Sequence, residues 1–134
     1  MPEGLENMSA QVLIVDPNDA SCASMARALG RAGFNVVKSA DTMAALDVLD
    51  AAPRDTRSAV VRLRQAAGKP HGLAFALMMR VRDKTARIVL LIDRPQDMNF
   101  IDNADKGVFA GILVSSTDND AMAAESARLL GSSP

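Results

Sequence analysis

The residues best suited to chemistry follow a short apolar run near the amino terminus. Val12 to Val15 form that run, Asp16 follows it directly, and Asn18 and Asp19 come close behind. An uninterrupted apolar run of this length is typical of a strand buried on both faces, as at the centre of a parallel sheet. The carboxyl end of such a strand lies at the edge where open α/β sheets bind their ligands. The sequence therefore predicts that Asp16 lies at a functional edge, where its role depends on the side chains that it meets.

A second group of chemically active side chains is basic and lies in the middle of the chain. Residues 54–94 contain ten Lys or Arg and only three Asp, although the whole chain has a net charge of −1. Such asymmetry indicates either an anionic partner or several separately solvated faces. A cyclic dinucleotide such as cyclic di-GMP would suit a cluster of this kind, whereas the lack of an aromatic platform beside the charges disfavours nucleic acid. The predicted anion-binding residues are Arg62, Arg64, Arg80, Arg82 and Arg87.

Other kinds of chemistry have little support. His71 is the single histidine, so a Ser-His-Asp set or a histidine-rich metal site is not indicated. Cys22 is the single cysteine, which excludes an internal disulfide and favours a reducing cytoplasm. Its spacing from the apolar residues that follow predicts a place in the core. Glycine-rich phosphate loops of the GxGxxG and GxxxxGK[ST] types are absent from the sequence.

Length and hydropathy predict one domain. A chain of 134 residues suits a single domain, which we expect at 11–131 after a flexible leader at 1–10 and before a tail at 132–134. Residues 1–10 have no basic segment followed by an apolar one, so they do not form a signal peptide. Purely apolar runs such as 88–92 are too short to span a bilayer, and we therefore expect no membrane contact.

Strand and helix patterns alternate five times. The patterns predict strands at 11–16, 34–38, 59–64, 87–92 and 111–115. They predict helices at 20–32 with Asp19 as the cap, from Asp41 to near Pro53, at 73–82, from Pro95, and from 117–120 to 130. Expected inward residues are Ala74, Leu77, Met78 and Val81 in the third helix and Phe100, Ile101 and Ala104 in the fourth. Such alternation favours a flavodoxin-like, doubly wound parallel sheet of order 2-1-3-4-5 between two helical layers.

The chain resembles the receiver domains of bacterial response regulators, the CheY-like family of two-component (phosphorelay) signalling. The resemblance rests on the order and spacing of elements over about 11–130, and its main carriers are the segments 12–16, Gly72-Leu73, 88–91 and 111–114. It implies a cytoplasmic, bacterial signalling module. It also implies a chemistry in which an aspartate of the third strand accepts a phosphoryl group from a histidine kinase. In that family two acids after the first strand hold Mg²⁺, while a hydroxyl after strand four and a lysine after strand five bind the phosphoryl oxygens.

Most of these chemical positions are altered in this sequence. The first acid matches Asp16, and the second falls on Pro17, with Asn18 or Asp19 as substitutes. Counting back eight residues from Gly72 places the acceptor on Arg64. The hydroxyl falls on Leu91 or Ile92, and the lysine falls on Ser115, or on Val114 if the alignment shifts by one.

An arginine cannot replace the acceptor, because a guanidinium has no lone pair with which to attack phosphorus. The resemblance therefore predicts a degenerate phosphorylation pocket with no bound Mg²⁺ or other cofactor and no enzymatic activity. Arg64 is expected either to pair with Asp16 or to reach solvent. Arg62 lies on the same strand face, so it needs nearby acids, or else the third strand is shorter than predicted. Lys69 is an alternative source of the lost lysine.

The favoured function is a pseudo-receiver that binds signalling proteins without being phosphorylated. Its expected partners are a histidine kinase, a response regulator or an output domain, and a weak homodimer through 95–130 is also expected. Two alternatives stay open. One is the anionic-ligand binder described above, and the other is a conventional receiver whose acceptor is Asp55, Asp83 or Asp93.

Overall fold

Five strands and five α-helices alternate along the described chain. The structure, a computed structural model, describes residues 11–51, 56–65, 69–115 and 118–131. The strands are β1 Gln11–Val15, β2 Asn35–Ser39, β3 Thr56–Arg62, β4 Arg87–Ile92 and β5 Gly111–Val114. The helices are α1 Asp19–Arg31, α2 Thr42–Ala51, α3 His71–Arg82, α4 Asn103–Lys106 and α5 Asn119–Leu130, with a 3₁₀ helix at Pro95–Phe100. The predicted leader 1–10 and tail 132–134 lie outside the described residues.

All strand pairs are parallel, and their order is β2-β1-β3-β4-β5. The predicted flavodoxin-like topology is therefore confirmed. In the register, Val15 of β1 lies beside Val61 of β3, and Arg62 lies beside Leu91 of β4. Ile92 lies beside Val114 of β5. The carboxyl ends of four strands therefore meet at one edge of the sheet.

Alternate residues of β1 face the two opposite helical layers. Val12 and Ile14 belong to the apolar cluster that includes residues of α1 and α5, whereas Leu13 and Val15 belong to the cluster that includes residues of α2 and α3. A strand between two apolar layers must be apolar at every position, because both of its faces are buried. This explains the continuous run that opens the described chain, and it fixes the position of Asp16 at its end.

Helix starts agree in part with the expected caps. Asp41 accepts a hydrogen bond from the N–H of Ala44 at 2.8 Å, as predicted for the start of α2. Asp118 caps α5 by accepting from the N–H of Ala121 at 3.0 Å, within the predicted range. The prediction for α1 was wrong by one residue, because the capping side chain is Asn18 and not Asp19.

The buried face of α3 differs from the predicted one. The helix buries Gly72, Phe75, Ala76 and Met79, whereas the side chain of Val81 is 81% exposed. These four residues have the spacing i, i+3, i+4, i+7, so the sequence contains a second helical stripe beside the predicted one. The stripe that contains Gly72 faces the sheet because a Cβ at this residue would lie 2.0 Å from the carbonyl oxygen of Arg62. Only glycine allows this close approach, and it determines the rotation of the helix.

The connection between β4 and β5 contains two short helical segments in place of one long helix. It consists of the 3₁₀ helix and the four-residue α4, and its residues Phe100 and Ala104 are exposed. Of the predicted inner face, Ile101 is buried. The sheet beneath is less well covered as a result, since the first three residues of β5 are half-buried and Val114 is 45% exposed.

Cys22 lies in the core between α1 and α5, as predicted. Its burial, together with the nearby charge of Asp16, raises the pKa of the thiol above its ordinary value. A raised pKa leaves little thiolate at neutral pH, which is typical of an inert structural cysteine. Among the described helices, none combines the length and the apolar character that a bilayer crossing requires.

Candidate functional site

A single guanidinium group joins several elements at the carboxyl edge of the sheet. Arg62, the last residue of β3, donates from Nε to Asp16 Oδ1 at 2.8 Å and from Nη2 to Asp16 Oδ2 at 3.2 Å. Nη2 also donates to Ser21 Oγ at 2.9 Å. Nη1 donates to Asp93 Oδ1 and to Ser115 Oγ, both at 2.7 Å. An arginine has five N–H donors, and here each of the five has an acceptor.

The acceptors come from four separate elements that share this edge. Asp16 follows β1, Asp93 follows β4, Ser115 follows β5, and Ser21 lies in the first turn of α1. Their side chains converge because parallel strands end together at this edge. Arg62 therefore connects β3 to three other strands and to one helix. This pairing explains how a charged residue is tolerated at the end of a central strand.

Asp16 is held from two sides. Its side chain is 1% exposed, and its Oδ1 accepts the N–H of Asn18 at 2.9 Å in addition to the Arg62 bond. The side chain of Arg62 is 10% exposed, so this ion pair is largely removed from water. A buried carboxylate without a partner would cost several kcal/mol, so the two residues depend on each other.

The electrostatics of this group favour a permanently charged arginine. Burial alone would lower the pKa of Arg62, but the hydrogen bonds and charges of Asp16 and Asp93 outweigh it and raise that pKa above its ordinary value. Asp93 differs from Asp16 because its side chain is 40% exposed. With two carboxylates around one guanidinium, the group carries a net charge of −1 when all three are ionised.

A second arginine-aspartate pair lies beside the first. Arg64 donates from Nη2 to Asp97 Oδ1 at 2.7 Å and from Nε to Asp97 Oδ2 at 3.2 Å. Its guanidinium carbon also lies 5.2 Å from the centre of the Phe100 ring, within the range of a cation–π contact. The prediction that Arg64 pairs with Asp16 was therefore wrong, since Arg62 holds Asp16 and Arg64 holds Asp97.

Asp97 also organises the chain after β4. Its Oδ2 accepts the N–H groups of Asp93 and Arg94 at 3.1 and 3.3 Å. The hydrogen bond from Arg64 lowers the pKa of Asp97 below its ordinary value, and the two backbone N–H groups act in the same direction against the effect of burial. Through Asp97, the segment after β3 is fixed to the segment that carries Asp93.

Two of the residues expected in the pocket lie elsewhere. Leu91 and Ile92 are both 1% exposed inside β4, and the residue that follows the strand is Asp93. Ser115 follows β5 and lies at the edge as predicted, where it accepts from Arg62. The sequence does indicate that Asp93 lies at the end of β4, because it directly follows the apolar run 88–92.

The residue at the end of β3 lies two positions before the one predicted for it. The prediction counted back eight residues from Gly72 and arrived at Arg64, but β3 ends at Arg62 and α3 begins at His71. The segment between them is therefore longer than the resemblance assumed. The alternative that strand three ends earlier than predicted is the correct one, and nearby acids also satisfy Arg62.

The five arginines predicted to bind an anion do not form one cluster. Arg62 and Arg64 lie at the carboxyl edge, where carboxylates already hold them. Arg87 begins β4 and pairs in register with Ser58, which places it at the opposite edge of the sheet. Arg80 contacts that edge through the carbonyl of Val108, and Arg82 pairs with Asp50 on the surface.

A cavity of about 580 Å³ opens beside Arg62. A divalent cation placed against Asp16 and Asp93 would meet the fixed positive charge of Arg62, so the residues present do not fit Mg²⁺. Within the described ranges, no group of three or more His, Cys, Asp or Glu side chains could hold a metal ion. The cavity is lined by Pro17, Asn18, Ala20, Ser21, Arg62, Arg64, Gln65, Asp93, Ser115, Asn119 and Met122.

Solved structures with the same arrangement of elements identify the fold. The chemotaxis response regulator CheY4 of Vibrio cholerae is 21% identical to this chain, with a TM-score of 0.71 over 90% of this chain and 98% of that one. The chain has the receiver-domain fold. A receiver domain protein from Clostridium thermocellum is 10% identical, with a TM-score of 0.73 over 92% of this chain and 95% of that one.

A third structure with the receiver fold comes from another bacterial response regulator. The response regulator TrrA of Thermotoga maritima, in complex with Mg²⁺-BeF, is 17% identical, with a TM-score of 0.70 over 89% of this chain and 97% of that one. No protein-family model matches the sequence, and no curated protein matches it significantly. At such low identities the likeness establishes the receiver fold alone.

Proposed function

We propose that this protein is a receiver-like module of two-component signalling that is not phosphorylated and acts by binding other signalling proteins. One observation carries the proposal. The residue at the carboxyl end of β3, where the receiver pattern places its acceptor aspartate, is Arg62, and Asp16 and Asp93 bind its guanidinium. A guanidinium cannot attack phosphorus, and its charge excludes the metal that the reaction would need. The module would then have no cofactor and no catalytic role.

The remaining acids are poorly suited to replace the acceptor. Both oxygens of Asp16 accept from Arg62, and its side chain is 1% exposed. Asp83 lies after α3, away from the carboxyl edge, and accepts from Thr85. Asp55 lies outside the described residues. Asp93 has the more exposed of the two carboxylates that bind Arg62, so a test of phosphorylation should examine Asp93 first.

The test is incubation of the full chain with acetyl phosphate and Mg²⁺, followed by intact-mass measurement. A conventional receiver domain treated in the same tube is the control for an active phosphoryl donor. We expect the control to gain one phosphoryl group and this protein to keep its mass. A gain of one phosphoryl group by this protein, assigned by peptide mapping to Asp55, Asp83 or Asp93, would establish the alternative of an active receiver.

Binding should then be independent of the phosphoryl donor. Self-association through residues 95–130 stays a prediction, and sedimentation velocity over a concentration series measures it. We expect the sedimentation coefficient at each concentration to be the same with and without acetyl phosphate and Mg²⁺. A shift that appears only with the donor would contradict a phosphorylation-independent module.

A further inference from the structure

A small basic cavity lies at the amino-terminal edge of the sheet, opposite the Arg62 group. Its volume is about 230 Å³, and three of its lining residues are basic, namely Arg80, Lys84 and Arg87. None of the described lining residues is acidic. They are Arg80, Lys84, Thr85, Ala86, Arg87, Gly107, Val108, Phe109 and Ala110.

Backbone carbonyls hold two of these arginines in place. Arg80 donates from Nε to the carbonyl of Lys84 at 2.8 Å and from Nη1 to the carbonyl of Val108 at 2.6 Å. Arg87 donates from Nη2 to the carbonyl of Leu129 at 2.7 Å. A carbonyl orients a guanidinium without neutralising its charge, unlike the carboxylates that hold Arg62 and Arg64. Arg80 is therefore fixed in position by groups that leave its charge in place, and Arg87 is oriented at the same cavity.

Arg80 retains donors for a ligand. Two of its five N–H groups bind the carbonyls, and the other three have no hydrogen-bond partner among the described residues. Lys84 is exposed at the same cavity and can turn its ammonium group toward it. Arrangements of a fixed guanidinium fork with a mobile ammonium suit the oxygens of a phosphate group.

One described acid, Asp83, interacts electrostatically with Arg80 but has other direct partners. Asp83 is the acid whose pKa responds to Arg80, but its first partners are the side chain and the N–H of Thr85. Its Oδ2 also lies 3.9 Å from Nε of Arg57, which adds another cation to this region. The described lining of the cavity thus carries three basic residues and no acidic one, in a chain whose total net charge is −1. Concentration of one sign of charge around a concave site attracts ions of the opposite sign.

From this convergence we infer that the cavity at Arg80, Lys84 and Arg87 binds the phosphate group of a small molecule. The site lies at the edge of the sheet away from Arg62, so the inference is independent of the proposed signalling function. It also places the anion-binding hypothesis from the sequence at Arg80, since the described lining of this cavity contains three basic residues and no acidic one. A free polyphosphate and a cyclic dinucleotide share the required chemistry, and the experiment distinguishes them.

The test is titration of the isotopically labelled full chain with inorganic pyrophosphate at low salt, followed by amide chemical shifts. We expect saturable shifts at residues 84–87 and 107–110, and weaker binding as salt is added. The Lys84→Gln variant should bind about three- to fivefold more weakly, as expected for the loss of one exposed charge interaction. Because the side chain of Lys84 is exposed and the Arg80 bond is to its backbone carbonyl, which glutamine also supplies, this variant should remain folded.

Arg82→Gln is the matched control, since it removes the same charge two residues away from Lys84. Arg82 pairs with Asp50 outside the cavity, so pyrophosphate should bind this variant as it binds the wild type. Equal weakening by both substitutions would mean that binding follows net charge alone, and it would overturn the inference. Absence of saturable shifts around the cavity with both pyrophosphate and cyclic di-GMP would also overturn it. Tighter binding of cyclic di-GMP than of pyrophosphate would support the site and assign it to a nucleotide.

Discussion

Replacing Arg62 by alanine should destabilise the fold more than any surface charge substitution. The change removes five hydrogen bonds at once and leaves Asp16 with the N–H of Asn18 as its described hydrogen-bond donor. Asp16 stays buried in the folded state, since its side chain is 1% exposed. Breaking a buried ion pair by removing one partner costs about 3–5 kcal/mol.

That cost translates into a large shift of the melting temperature. For a domain of this size, 1 kcal/mol corresponds to roughly 3–5 °C, so Arg62→Ala should melt about 10–20 °C below the wild type. Urea denaturation measures the free energy of unfolding, and calorimetry measures the melting temperature. Arg82→Ala is the control, because the Arg82–Asp50 pair is exposed and should contribute no more than about 1 kcal/mol.

A double-mutant cycle separates the ion pair from the other contacts of Arg62. Asp16→Asn should destabilise the wild type strongly but should have a much smaller effect in the Arg62→Met background, where no guanidinium remains to be left unpaired. Two results would contradict this role of Arg62. One is a melting temperature of Arg62→Ala that falls no further than that of Arg82→Ala. The other is additivity of the two substitutions of the cycle in the free energy of unfolding.

Three further changes test the site, the helix placement and the second ion pair. Arg62→Asp would place a third carboxylate beside Asp16 and Asp93, so Mg²⁺ should raise the melting temperature of this variant but not of the wild type; equal responses would contradict the role assigned to the guanidinium. Gly72→Ala should destabilise strongly, because its Cβ would overlap the Arg62 carbonyl oxygen, whereas Gly30→Ala, whose Cβ meets nothing within 4 Å, should stabilise the helix by about 0.5–1 kcal/mol; comparable urea midpoints for both would rule out the close approach. The pKa of Asp97 is lowered in the folded state, so its contribution to stability is present above its unfolded pKa of about 3.9 and is lost as pH falls below that value; Asp97→Asn should flatten the loss of urea stability below about pH 4, and an unchanged pH profile would contradict the pairing with Arg64.

The fold followed from periodicity, which is a local property of the chain. The apolar runs before Asp16 and before Asp93 mark strands buried on both faces, and β4 has the bounds that its sequence predicts. Alternation of strands and helices then restricts the topology to few arrangements, of which the observed order is one. The strands and their order could therefore be predicted without knowing which side chains contact one another.

The pairing within the site could not be predicted in the same way. Periodicity placed Arg62 and Arg64 near one strand end, but the residue that ends β3 depends on the length of the following segment, which local patterns do not determine. The exchange of partners, with Arg62 on Asp16 and Arg64 on Asp97, followed from this two-residue difference. The face of α3 was missed for a similar reason, because the close contact of Gly72 with the Arg62 carbonyl is a tertiary feature.

The convergence of four strand ends on one guanidinium also affects how the native state opens. Sheet edges usually fray, and their amide protons exchange with solvent through local fluctuations of low free energy. Here the ends of β1, β3, β4 and β5 cannot separate without breaking hydrogen bonds of the same side chain, whereas β2 has no bond to it. Amide protons near Val15 and Val61 should therefore exchange only when the whole domain unfolds, and those of β2 should exchange earlier in a native-state hydrogen-exchange experiment. The carboxyl edge would then be the most slowly opening part of the sheet.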